Sequence, residues 1–203
     1  MTASRPPIFI FDVGGVLIRH DNDLLSDRLA AECADPLATR PRLNDGVHNR
    51  AVGTGEMGMA ELHRRLTAEY GFLADFGTFL AIWNSHFSEE PDMEPVLRTL
   101  VQHYRTVFFS NTNAAHWAHV TAHYPVLAHG HHAYLSHELG LVKPEPASFL
   151  RVLERERCTP ADAIFIDDRA ENVEAAVALG LDGILFTDAA SFRRALADRG
   201  INL

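Results

Sequence analysis

A chain of 203 residues holds one full-sized core, or one core with a smaller inserted subdomain, and leaves little room for two unrelated large domains. Its 47% apolar and 22% charged residues exclude a largely disordered or fibrous chain. A formal net charge of -9 with scattered Lys and Arg argues against a nucleic-acid surface, so any phosphate it binds is expected in a local site.

Met1 to Pro7 precede an apolar run, Ile8-Phe9-Ile10-Phe11, that ends at Asp12. That run is far too short for a signal-peptide core or a membrane span, so a cytoplasmic protein with no membrane partner is expected. It reads as a strand buried on both faces. Asp12 follows at its carboxyl end, and Gly14 and Gly15 let the backbone turn sharply there. The same Asp-x-Gly-Gly residues also suit an ordinary turn. Between Ile18 and about Pro91 strand-like runs disappear, and helix-forming stretches such as Leu24 to Ala34 and Met59 to Tyr70 take over. This reads as a helical insertion after the first strand, flanked by Gly53, Gly55 and Gly58 and closed by Glu89-Glu90-Pro91-Asp92.

After the insertion, strand and helix patterns alternate. Pro95 to Tyr104 reads as a helix, Thr106 to Phe109 as a strand, and Ala114 to His123 as a helix. Pro146 to Arg155 is helical, Ala163 to Ile166 a strand, Ala170 to Leu179 a helix stopped by Gly180, Gly183 to Phe186 a strand, and Ala189 to Arg199 a helix. Alternation of this kind predicts a doubly wound α/β fold with a parallel sheet. In such sheets the ligand crevice lies beyond the carboxyl ends of the strands, where Asp12, Ser110, Asp167 and Asp168 fall.

The adjacent carboxylates Asp167 and Asp168 repel each other, so a protein keeps them more readily where a hard cation such as Mg²⁺ neutralises both. A helix cap accounts for only one of them. Ser110-Asn111-Thr112-Asn113 offers hydroxyl, amide and backbone donors at a helix start, which suits an anion and equally an N-cap. Lys143 is a lone cation in a Pro-flanked loop, Gly140 to Pro146. Cys33 and Cys158 give no disulfide framework or C-x-x-C spacing and are expected to be structural. His116, His119 and His123 at helical spacing, with His129, His131 and His132 after them, match no familiar zinc signature and are expected to be packed or solvated.

In order, Asp12-Val13-Gly14-Gly15-Val16, Ser110-Asn111-Thr112, Lys143-Pro144 and Asp167-Asp168 resemble the motifs of the haloacid dehalogenase-like (HAD) hydrolases. Within that superfamily the likeness is to the group containing bacterial alpha-glucose-1-phosphate phosphatase and the phosphatase domain of soluble epoxide hydrolase. The resemblance implies a Rossmann-like HAD core over residues 1–18 and 91–203, with a helical cap over residues 19–90. It implies Asp12 as a nucleophile that becomes an aspartyl-phosphate, Lys143 as the cation that neutralises it, and Ser110 and Asn111 as phosphate ligands. Mg²⁺ would be held by Asp12, the Gly14 carbonyl and Asp168, with Asp167 acting mainly through water.

The implied activity is hydrolysis of a small phosphorylated metabolite, with a sugar phosphate as a candidate; the alternatives are a 2-haloacid dehalogenase and a catalytically silent HAD-like binding module. Most phosphatases of the superfamily carry a second Asp where this chain has Gly14, which deprives the leaving group of a side-chain acid and favours acidic leaving groups such as a sugar anomeric oxygen. Asp21, His20, Glu56 and Trp83 are the cap residues expected to touch substrate.

Overall fold

The computed structural model describes residues 6–47 and 50–202. Residues 1–5, 48–49 and 203, which belong to the expected core and cap ranges, lie outside the described residues. The elements run β1 (Ile8–Phe11), β2 (Ile18–His20), α1 (Asn22–Ala31), α2 (Pro36–Val47), α3 (Arg50–Gly53), α4 (Met59–Tyr70), α5 (Phe76–Trp83), β3 (Phe87–Glu89) and α6 (Met93–Leu100). They continue with β4 (Thr106–Ser110), α7 (Ala114–His123), β5 (His132–Leu135), α8 (Ser136–Leu139), α9 (Pro146–Glu156), β6 (Ala163–Asp167), α10 (Ala170–Ala178), β7 (Asp182–Leu185) and α11 (Ala189–Ala197).

Five parallel strands form one sheet in the order β5-β4-β1-β6-β7, with β1 between β4 and β6. Successive side chains of a strand point to opposite faces. Phe9 and Phe11 therefore join Val96, Leu100 and Phe192 of α6 and α11 on one face. Ile8 and Ile10 join Phe149, Val152 and Ala176 of α9 and α10 on the other. Burial on both faces is why β1 is apolar at every position. The fold is the doubly wound α/β architecture expected from the sequence.

Two strand assignments differ from the sequence reading. The stretch from Ile18 to Pro91 was expected to lack strands, yet β2 and β3 pair antiparallel at its two ends, with Ile18 opposite Glu89 and His20 opposite Phe87. A two-stranded ribbon with most of its side chains half-covered or exposed leaves no apolar run to read. The edge strand β5 follows His131 in a segment to which the sequence assigns no strand. Its first residues are exposed or half-buried, and only Tyr134 and Leu135 are buried.

Helices α1, α4 and α5 share a hydrophobic cluster of their own, built on Leu25, Leu29, Leu62, Leu66, Phe79 and Trp83. Ser136 ties this layer to the sheet layer, donating its hydroxyl to the carbonyl of Gly53 at 2.6 Å. No helix among the described residues is long and apolar enough to cross a membrane.

Candidate active site

Strand ends β1 and β6 bring three carboxylates together. One oxygen each from Asp12, Asp167 and Asp168 lies within 4.8 Å of the other two. Parallel pairing of β1 with β6, Phe11 opposite Ile166, sets Asp12 level with Asp167. The Asp12 backbone N–H donates to the carbonyl of Ile166 at 2.8 Å, fixing the turn that follows.

Lys143 reaches the same place from its loop. Its Nζ lies 3.0 Å from Asp12 Oδ1 and 2.6 Å from Asp167 Oδ2. The ammonium is also packed over the rings of Phe109 and Phe165, 5.2 and 5.5 Å from their centroids. A desolvated Lys is held in place by such contacts, since both the carboxylates and the ring faces attract the cation. The loop itself is clamped by Asn111, whose side chain accepts from the Lys143 N–H at 2.9 Å and donates to the Lys143 carbonyl at 2.8 Å. The Asn111 side chain, expected as a phosphate ligand, thus holds the Lys143 backbone through its oxygen and its nitrogen. Ser110, at the end of β4, lines the cavity above Asp12.

Asp167 is fully buried and saturated. It accepts from Asn172 Nδ2 at 3.0 Å on both oxygens and from the Arg169 N–H at 2.9 Å, in addition to Lys143. Sequence reasoning gave Asn172 no role, although it stands in the first turns of α10, five residues after Asp167, where it reaches back over the strand end. Asp168 is half-buried and faces the cavity.

Electrostatics make the cluster ask for a cation. Burial pushes the Asp12 carboxyl up to about 7, the neighbouring Asp167 adds to the rise, and Lys143 opposes it. Asp168 is raised too, first by burial and then by Asp167. Three carboxylates against one ammonium leave negative charge in excess, and oxygen-only donors suit Mg²⁺.

Gly15 supplies a second sign. Its φ is 78°, and a β-carbon there would fall 2.1 Å from Asp168 Oδ2. Only a residue without a side chain lets Asp168 close on the cluster. Gly15→Ala is accordingly expected to raise the Mg²⁺ concentration needed for half-maximal activity by about tenfold or more. Gly58→Ala, where a β-carbon meets nothing within 4 Å, should leave it unchanged. A magnesium titration of the two variants checks this.

At Gly14 the departure from the superfamily pattern has a visible occupant. The His20 Nδ1 atom lies 3.1 Å from where a β-carbon on Gly14 would stand. Of the other expected cap residues, Trp83 lines the cavity, whereas Asp21 caps α1 by accepting from the Leu24 N–H at 2.8 Å. Glu56 pairs with Arg50 and Thr54 and does not line the cavity. Cys33 and Cys158 form no disulfide, and the only acid, His and Cys group among the described residues that fits a metal is the aspartate cluster.

The haloacid dehalogenase-like hydrolase family matches residues 7–180. The Arabidopsis thaliana protein named flavin mononucleotide hydrolase 1 is 42% identical over 64 residues, 32% of this chain. The matched segment spans about a quarter of that protein, 26% of its length. A HAD family enzyme from Bacteroides thetaiotaomicron, solved as a magnesium complex, is 26% identical and superposes with a TM-score of 0.81, over 91% of this chain and 94% of that one. A predicted HAD-like family hydrolase from Porphyromonas gingivalis shares the fold at 20% identity, with a TM-score of 0.82 over 98% of this chain and 99% of that one.

Proposed function

Because the chain belongs to the haloacid dehalogenase-like hydrolases, we propose that it is a magnesium-dependent phosphatase that hydrolyses a small phosphate monoester through an aspartyl-phosphate on Asp12. The observation that carries this reading is the buried Asp12 carboxylate, in contact with Lys143 and within reach of the Asp167 and Asp168 carboxylates, with Asp12, Lys143 and Asp168 lining one cavity. Asp12, Asp168 and the carbonyl of Gly14 would hold Mg²⁺, with Asp167 supporting, and the ion would supply charge neutralisation for the phosphoryl group and the attacking carboxylate.

Asp12 attacks phosphorus, forming a carboxylate oxygen–phosphorus bond as the bond to the leaving oxygen breaks. Lys143 offsets negative charge on the reacting oxygens, and Ser110 Oγ with the Asn111 N–H binds the phosphoryl oxygens. The leaving oxygen takes its proton from a source other than residue 14, which has no side chain. Water then attacks phosphorus, freeing inorganic phosphate and the Asp12 carboxylate. Residues 19–90 serve as a cap, since His20, Asn22, Arg50, Trp83 and Phe87 line the same cavity as Asp12, Lys143 and Asp168. For the substrate, the missing acid at Gly14 favours an acidic leaving group such as a sugar 1-phosphate, while the Arabidopsis relative is named for a flavin ester.

With Mg²⁺ and a panel of phosphate monoesters, purified protein is expected to release inorganic phosphate, to stop in excess EDTA, and to leave 2-haloacids intact. Halide release without phosphate release would replace this reading with a 2-haloacid dehalogenase. Inertness toward both classes by a folded protein would leave a silent binding module.

A further inference from the structure

Asp12, Lys143 and Asp168 line a cavity of about 410 Å³, a size suited to a small-molecule ligand. Five rings help to line it: Trp83 from the helical layer, His86 and Phe87 where the chain returns to the sheet, and His116 and Trp117 from α7. These rings pack against each other across the two layers. Trp83 stacks on His116 with centroids 4.8 Å apart and planes at 17°, and Phe87 sets its ring at 88° to His116 at 4.9 Å.

The polar atoms of Trp83 and His116, and one of His86, are already engaged within the protein. His116 Nε2 bonds the Trp83 carbonyl at 3.0 Å, and its Nδ1 pairs with the Asn113 amide at 3.1 Å. His86 Nδ1 lies 3.1 Å from the same Trp83 carbonyl, and Trp83 Nε1–H points to Asn113 Oδ1 at 3.5 Å. Arg50, at the cavity edge, is ion-paired with Glu145 and Glu56. What the wall presents is ring carbon, extended by Ile18, Val120 and Val142.

A polyol would need a hydrogen-bond partner for each hydroxyl it buries, and this wall has few to give. A flat ring needs only the carbon surface and gains from offset or edge contact with aromatic neighbours. Building on the phosphatase reading above, we propose that the cavity selects phosphate monoesters whose leaving group carries a planar heteroaromatic ring, seated against the half-buried rings of Phe87, His116 and Trp117, with the buried Trp83 backing His116. Its polar edge would face His20 and Asn22, the polar lining residues nearest the start of α1.

The test holds leaving-group basicity nearly constant by using primary-alcohol phosphates. Pyridoxal 5′-phosphate and flavin mononucleotide carry rings; glucose 6-phosphate and glycerol phosphate are polyols; hexyl phosphate is a flexible apolar control. With saturating Mg²⁺, kcat/KM for the ring esters is expected to exceed that for the polyols by about tenfold or more, within the range an apolar pocket delivers, and to exceed that for hexyl phosphate as well. Phe87→Leu keeps apolar volume but removes a ring, and is expected to lower kcat/KM for the ring esters several-fold while sparing glycerol phosphate. As an independent readout in metal-free wild-type protein, flavin mononucleotide fluorescence should be quenched on binding. Phosphate release from no ester overturns the phosphatase reading itself. Comparable kcat/KM for all esters, or preference for the polyols or hexyl phosphate, overturns the ring assignment alone. An equal loss on every ester in Phe87→Leu would show that the ring cluster only joins the two layers, and would overturn it too.

Discussion

Asp12→Asn is expected to lower kcat by roughly 10³-fold or more while leaving the protein folded and at least as stable as wild type near pH 8. Asn matches the shape of Asp and can still accept from the Val13 N–H, which Asp12 Oδ1 does at 2.6 Å. It carries no charge to attack phosphorus, so the first bond of the reaction cannot form. Stability should move the other way, because burial and Asp167 both disfavour an ionised Asp12. A neutral side chain removes that cost, the familiar exchange of stability for activity at a catalytic carboxylate. Steady-state kinetics and thermal melts of the same preparation check both halves. Wild-type activity in Asp12→Asn, or its failure to fold, would contradict the assignment.

Lys143→Ala carries the second large effect, on both activity and stability. Lys143 is 3% exposed and bridges two buried carboxylates, so its loss strands their charge. Removing one partner of such a buried pair costs about 3–5 kcal/mol of stability. Turnover should fall by about 10²–10³-fold through loss of a preorganised cation beside the phosphoryl group. The stability effect depends on pH. Burial raises Asp12 from 3.8 to about 7, with Lys143 the strongest opposing influence. A carboxyl with a raised folded pKa contributes stability that is complete below its unfolded pKa and is lost as pH rises through the folded value. Without Lys143 that folded value climbs further. The deficit of Lys143→Ala in metal-free protein should therefore be smaller near pH 5 and larger near pH 8. Urea midpoints at the two pH values decide it, and a deficit that shrinks with rising pH would contradict the placement of Lys143.

These expectations rest on features that were unequally legible in the sequence. The strands β1, β4 and β6 stood out because burial on both faces makes them apolar at every position, and each ends at a site residue. The helix Met59–Tyr70 was readable to its bounds, since Gly71 stops it in a left-handed conformation. The edge strand β5 and the β2–β3 ribbon were not, because half-covered strands keep polar residues that erase the signal. Within the site, Asp12, Asp167 and Asp168 could be placed from strand ends alone. Lys143 could not, because a loop residue's direction depends on what clamps it, here the Asn111 side chain across 32 positions of sequence. Asn172 and Gly15 act through contacts with Asp167 and Asp168 that appear only once β1 and β6 lie side by side. The vacancy at Gly14 was plain in the sequence, while the imidazole of His20 against it comes from the pairing of β2 with β3.

In the proposed reaction the phosphoryl group passes through Asp12. Protein mixed with Mg²⁺ and a ³²P-labelled monoester and quenched in acid within one turnover should carry an acyl phosphate that is labile to hydroxylamine, and borohydride reduction of a parallel sample should expel that phosphate and leave homoserine in place of the aspartate. Peptide mapping should place the modification at Asp12, and Asp12→Asn should acquire none. Full single-turnover release of phosphate with no acid-stable label on Asp12, or with the label on another residue, would contradict the account.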